Sequence, residues 1–125
     1  MPPKPSPTPS RGHHGEDWVA KWLGQQGWQV VARRWRCPWG ELDLVMYTAS
    51  TLVFVEVKTR SQGNWDADGA QAVTPKKQER LRQAAAYFLS QHPQWQDTPC
   101  RFDVALVRCH HAHYQLQSYL VNAFI

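Results

Sequence analysis

The chain has 125 residues, 42% of them hydrophobic, with three cysteines, a formal charge of +4 and a pI near 9.2. That length fits one domain able to bury a core without covalent staples. Cys37, Cys100 and Cys109 are an odd count with no CxxC spacing, which argues against a disulfide framework and for a reducing, cytoplasmic setting. No apolar run approaches the roughly 20 residues a membrane span needs, and a mildly basic balance suits a polyanionic partner.

Residues 1–11 are rich in proline and lack the apolar stretch of a secretion signal, so a disordered tail is expected there, followed by a single domain over residues 12–125. Residues 15–26 read as a helix. Trp18, Val19, Trp22 and Leu23 make its apolar face, Glu16 and Asp17 fall in its expected first turn, and Gly27 stops it. Residues 28–36 alternate as a strand, Cys37-Pro38-Trp39-Gly40 turns the chain, and residues 41–47 make a second strand. Thr48-Ala49-Ser50 closes a hairpin into residues 51–58. Val53, Val55 and Val57 lie on one face of this third strand and Leu52 and Phe54 on the other, the mark of a strand central in its sheet.

Residues 61–73 form a polar loop. Thr74-Pro75 announces a helix, with Thr as cap and Pro in the first turn. Leu81, Ala84, Ala85, Phe88 and Leu89 give that helix its apolar face, and it ends before His92-Pro93. Residues 101–108 and 114–121 read as two further strands, with His110, His111 and His113 in the turn between them. Helix, three strands, helix, two strands points to an α/β domain with a mixed sheet.

Chemistry concentrates in two adjoining strands. Glu56 and Lys58 share a face at the end of an otherwise apolar strand, where charge is costly unless paired, solvated or used. In Gly40-Glu41-Leu42-Asp43-Leu44, Glu41 and Asp43 share a face opposite Leu42, Leu44 and Met46. If the hairpin register sets Asp43 beside Glu56, two carboxylates and a lysine meet, a donor set suited to a hard cation and a phosphate. A structural ion-pair network of the same three residues fits the pattern equally well. Glu16 can approach from the helix, or simply complement the helix dipole. Arg33, Arg34, Trp35, Arg36 and Trp39 interleave bases with aromatics, as a strand edge or as a nucleic-acid contact. Lys76, Lys77, Arg80 and Arg82 crowd the second helix.

These motifs carry a family resemblance. From residue 12 to 124 the chain resembles the YraN family of small bacterial proteins, which is similar to the archaeal Holliday-junction resolvases of the restriction-endonuclease-like superfamily. The matching segments are Gly15-Glu16, Gly40-Glu41-Leu42-Asp43-Leu44, Phe54-Val55-Glu56-Val57-Lys58-Thr59-Arg60, Ala72-Val73, Lys77, Ala84-Ala85 to Tyr87, Arg101-Phe102-Asp103-Val104 and Asn122-Ala123-Phe124. The resemblance implies a restriction-endonuclease-like α/β fold, with a mixed central sheet of about five strands flanked by helices. It implies Asp43, Glu56 and Glu16 as ligands of Mg2+ (or Mn2+) and as catalytic groups, with Lys58 as the catalytic lysine and the Val57 carbonyl as a further ligand. It implies hydrolysis of phosphodiester bonds in DNA, branched recombination or repair intermediates included, with Arg33, Arg34, Arg36, Arg60 and Lys77 as candidate DNA contacts. A homodimer is expected by analogy, because a four-way junction offers two related strands. Arg34 departs from the pattern, since the family usually has Asn there. The alternative is a non-catalytic nucleic-acid-binding or DNA-processing interaction module on the same fold.

Overall fold

A computed structural model describes residues 11–61 and 73–124. The proline-rich tail and most of the expected polar loop lie outside the described residues. The elements in chain order are α1 (Arg11–Gln25), β1 (Gln29–Cys37), β2 (Gly40–Thr48), β3 (Thr51–Arg60), α2 (Pro75–Gln91), a short 3-10 turn (Pro93–Trp95), β4 (Cys100–His110) and β5 (His113–Phe124).

The helix ends follow their capping chemistry. At the end of α1, Gly27 sits at φ 91°, and the Trp28 and Gly27 amides donate to the Leu23 and Gly24 carbonyls at 3.2 and 3.0 Å. This paired closure needs a left-handed residue, which glycine supplies without strain. At the start of α2, the Lys77 amide donates to Thr74 Oγ1 at 3.2 Å, with Pro75 in the first turn. One boundary departs from expectation: α1 begins at Arg11, so Glu16 stands in the second turn of the helix. Favourable dipole charge at the helix start therefore does not account for it.

The sheet order is β1-β2-β3-β4-β5, with β3 at its centre as its two apolar faces require. Only β3 and β4 are parallel; they run in register from Leu52↔Cys100 to Arg60↔Arg108, and α2 makes the crossover between them. The two helices cover opposite faces. Val19, Ala20 and Leu23 of α1 pack with Val53, Val55 and Val57, whereas Leu81, Ala84, Ala85 and Phe88 of α2 pack with Leu52 and Phe54. Trp18, Trp22 and Trp28 pack half-buried around the α1 side.

Strand β2 breaks its alternation where the chemistry sits. Leu44 and Met46 join the α1-side cluster, but Leu42 joins the α2-side cluster, so Leu42 does not share their face as simple alternation predicts. The physical reason lies in the ladder. The β2–β3 pairing stops at Leu44↔Val55, and beyond it the Asp43 side chain, not its backbone, accepts the Val57 amide at 2.9 Å. Freed from the ladder, β2 splays from β3 and opens a cleft.

At the other side of the sheet, Asp103 is fully buried on β4. It accepts hydrogen bonds from Arg101 Nε at 3.1 Å, Tyr119 Oη at 2.6 Å and the Asn122 amide at 2.8 Å. Asn122 stands at φ 52°, a left-handed conformation that asparagine tolerates better than most residues. This network ties the end of β5 to β4.

Candidate metal centre

The cleft gathers side chains from α1, β2, β3 and α2. Gly15 brings α1 close to the sheet: a Cβ at this position would collide with Thr59 Oγ1 on β3. That close approach lowers Glu16 into the cleft, where it is 6% exposed. Carboxylate oxygens of Glu16, Glu41 and Asp43 lie within 4.8 Å of one another. The Asp43 carboxyl stands between those of Glu16 and Glu56 and interacts with both.

Glu56 belongs to the cationic end of this array. Its Oε1 lies 3.4 Å from Lys58 Nζ and 3.2 Å from Lys77 Nζ. The resemblance implies Glu56 as a ligand with Asp43 and Glu16; the structure adds Glu41 to the tight group with Glu16 and Asp43, and Glu56, beside Asp43, also pairs with the two lysines. Glu41 was legible as a member of Asp43's face, two residues away on the same strand.

Basic residues also flank the other end. Arg34 stands at φ 46°, a region asparagine enters more readily than arginine. Its Nη1 reaches Glu16 at 3.4 Å and Asp17 at 3.1 Å. Arg33 pairs with Asp17 at 3.0 Å, and Arg36 with Glu41 at 3.1 Å. The arginine run of β1 is thus matched to acids in this structure. Arg60 lies exposed at the end of β3. Trp35 packs against the α2-side core.

The electrostatics follow from burial and crowding. Burial first, then the charge of Glu56, pushes the Asp43 carboxyl up to about 9, so it is protonated at neutral pH; the Val57 amide opposes this only in part. Burial likewise raises Glu16. Burial, reinforced by Lys77, lowers the Lys58 ammonium against the pull of Glu56. Burial works against the charge on Lys77 too, but the hydrogen bond with Lys58 and the charge of Glu56 outweigh it, and its pKa is raised. Lys58 is therefore the lysine of the pair that gives up its proton more readily.

An acid raised in the folded state contributes stability that is full below its unfolded pKa, near 3.9, and is lost as pH rises through the folded value. Asp43→Asn keeps an acceptor for the Val57 amide and removes the charge. In chelator, this variant is expected to melt above the parent protein, by about 4 °C for each kcal/mol relieved. The gain should grow from nothing near pH 3 to a plateau near pH 9. A gain that did not change with pH would show that Asp43 carries no raised pKa.

The donor set fits a hard divalent cation. It is all oxygen, drawn from three carboxylates, and burial together with the neighbouring negative charge raises the pKa of its central carboxyl. The cleft opens into a cavity of about 450 Å³ whose lining includes Trp39, Asp43, Glu56, Lys76, Lys77 and Arg80.

Fold and site together define a small α/β protein with a carboxylate–lysine centre where two central strands part. Comparison with known proteins places it further. Residues 15–107 match the model of "Uncharacterised protein family UPF0102". A UPF0102 protein of Synechococcus sp. (strain JA-3-3Ab) is 52% identical over 126 residues, covering 98% of this chain and 95% of its own. One from Thermosynechococcus vestitus is 53% identical over 114 residues, covering 90% and 92%. The chain belongs to the UPF0102 family, which is the YraN family. No helix among the described residues is long and apolar enough to cross a membrane.

Proposed function

We propose that this protein is a divalent-metal-dependent DNA endonuclease that hydrolyses phosphodiester bonds, branched recombination and repair intermediates included, in the cleft between β2, β3 and the start of α2. The observation that carries the reading is the continuous array of Glu41, Glu16, Asp43 and Glu56 ending on Lys58 and Lys77. Here the central acid is crowded by like charge and buried beside an open cavity, as perturbed groups at functional sites commonly are.

Asp43, Glu16 and Glu41 would hold Mg2+ or Mn2+, with Glu56 at the border between acids and lysines. The ion would supply positive charge at the scissile phosphate and make an attacking water more acidic. Asp43 must lose its proton to act as a ligand. Lys58, with its lowered pKa, is suited to accept a proton from a water or to hold that water by hydrogen bond. Lys77 keeps its charge and faces the same carboxylate, so it can hold a phosphate oxygen electrostatically. The β1 arginines paired to Glu16 and Glu41 are then available to the DNA backbone, since a divalent cation replaces them as counter-charge.

The test is cleavage of end-labelled four-way, flap and linear DNA with Mg2+ or Mn2+, with Asp43→Ala in parallel. Metal-dependent products are expected from the parent protein, and background only from the variant. Equal cleavage by both, with contamination excluded, would refute the proposal. Salt-sensitive binding without products would mark a binding module instead. The mass of the DNA-bound species in the same samples reads whether the working form is a dimer.

A further inference from the structure

The cavity has an aromatic wall that the chemistry of the acids and lysines does not use. Trp39 is 42% exposed and is the exposed tryptophan among the described residues; the others are half-buried. It lines the cavity together with Asp43, Glu56, Lys76, Lys77 and Arg80. Exposing a large apolar ring is costly, and its position here is fixed rather than loose. The ring sits in the two-residue turn between β1 and β2, closed by the Cys37↔Gly40 pair. Pro38 restricts one side of the turn. Gly40, at φ 135°, completes the other in a conformation that favours glycine. Tyr87 of α2 backs Trp39 at 5.4 Å between ring centroids, and Trp35 backs Tyr87 at 5.9 Å. Tyr87 meets Trp39 at a tilt of 54°, so it braces the indole without stacking flat over it.

Across the cavity, Lys76 and Arg80 are one helical turn apart on α2, exposed, and without an acidic partner among the described residues. This separates them from the arginines of β1, each of which is paired to an acid. A braced, exposed indole beside two exposed cations matches what a single nucleic-acid strand presents: a flat base face next to an anionic backbone.

We propose that Trp39 is a base-stacking subsite for an unpaired nucleotide, whose flanking phosphates lie along Lys76 and Arg80. This rests on, and deepens, the endonuclease reading: it selects DNA with single-stranded nucleotides beside the cleaved phosphate over fully paired duplex. In a duplex both faces of each base are covered by its neighbours, so Trp39 has no face to take.

The test reads binding, not cleavage. A fluorescently labelled single-stranded DNA oligonucleotide and a blunt duplex of the same length are titrated with the full chain in chelator, using the parent protein, Trp39→Ala and Trp39→Phe. The parent should prefer the single strand. Trp39→Ala should lose about tenfold in affinity for the single strand, within the range base stacking supplies, and keep its duplex affinity. Trp39→Phe, which keeps a flat ring against Tyr87, should retain most of it, and unchanged melting of both variants separates stacking from folding. Equal losses on both DNAs, no loss on either, or no DNA binding by the parent would overturn the proposal. If the strand preference depends on Trp39 but the parent never cleaves, the subsite stands and the nuclease reading falls. If the parent cleaves blunt duplex as well as flaps and Trp39→Ala changes nothing, the subsite alone falls.

Discussion

Asp103→Ala is expected to cost about 3–5 kcal/mol of folding stability, a large part of what a domain of this size possesses. Asp103 is fully buried, and its two oxygens serve Arg101, Tyr119 and the Asn122 amide at once. Removing the carboxylate strands three donors. Arg101 keeps partial access to water, at 27% exposure, but the Asn122 amide is fixed by its left-handed backbone and cannot turn to another partner. The Tyr119 hydroxyl, whose pKa burial raises further, also loses its acceptor. Asp103→Asn keeps acceptor capacity without charge and should cost less than half as much. Urea unfolding followed by far-ultraviolet dichroism measures both. A loss under about 1 kcal/mol for the alanine variant would mean that the network contributes no more than an ordinary hydrogen bond.

Lys58→Met is expected to reduce metal-dependent cleavage by about 10²–10³-fold, the usual cost of losing one preorganised polar group at a reacting centre. Methionine fills much of the same volume, so the packing at the end of β3 should persist. The variant takes away the amine 3.4 Å from Glu56 Oε1 and leaves Lys77 at 3.2 Å to hold that carboxylate. Divalent-ion affinity, measured by calorimetry, should therefore stay level or rise, because one competing positive charge has gone. Cleavage within about threefold of the parent would assign Lys58 to charge balance instead of chemistry.

Much of this was legible in the sequence because several signals coincided. Gly27, Thr74-Pro75 and the two apolar faces of residues 51–58 each fix one local conformation, and each appears as read. The hairpin register also sets Asp43 next to the strand of Glu56. The tight turns were harder. Ala49-Ser50 and His111-Ala112 both adopt positive φ, between 48° and 63°, without the Asn or Gly that normally marks such turns; the flanking ladders impose them. What was not legible is how the site is assembled. The extra helical residues before Gly15, the slip of alternation at Asp43 and the left-handed backbone at Arg34 are tertiary outcomes. Together they bring Glu41 into the tight carboxylate group and turn Glu56 toward Lys77. A periodic reading of β2 cannot anticipate them, because the period itself changes there.

The bond between Asp103 and Asn122 also bears on the order of events when the chain is made. Strand β4 is synthesised before residue 122, and domains form as their parts become available. Until then Asp103 lacks the Tyr119 and Asn122 donors, the outer edge of β4 is bare, and Phe124, buried and stacked on Phe102 at 4.8 Å, is missing from the core. An open edge beside apolar surface invites pairing with another nascent chain. The protein therefore stays in a vulnerable, incompletely closed state until β5 docks on β4, and its yield in cells should depend on chaperone capacity during that interval more than the stability of the finished fold would suggest.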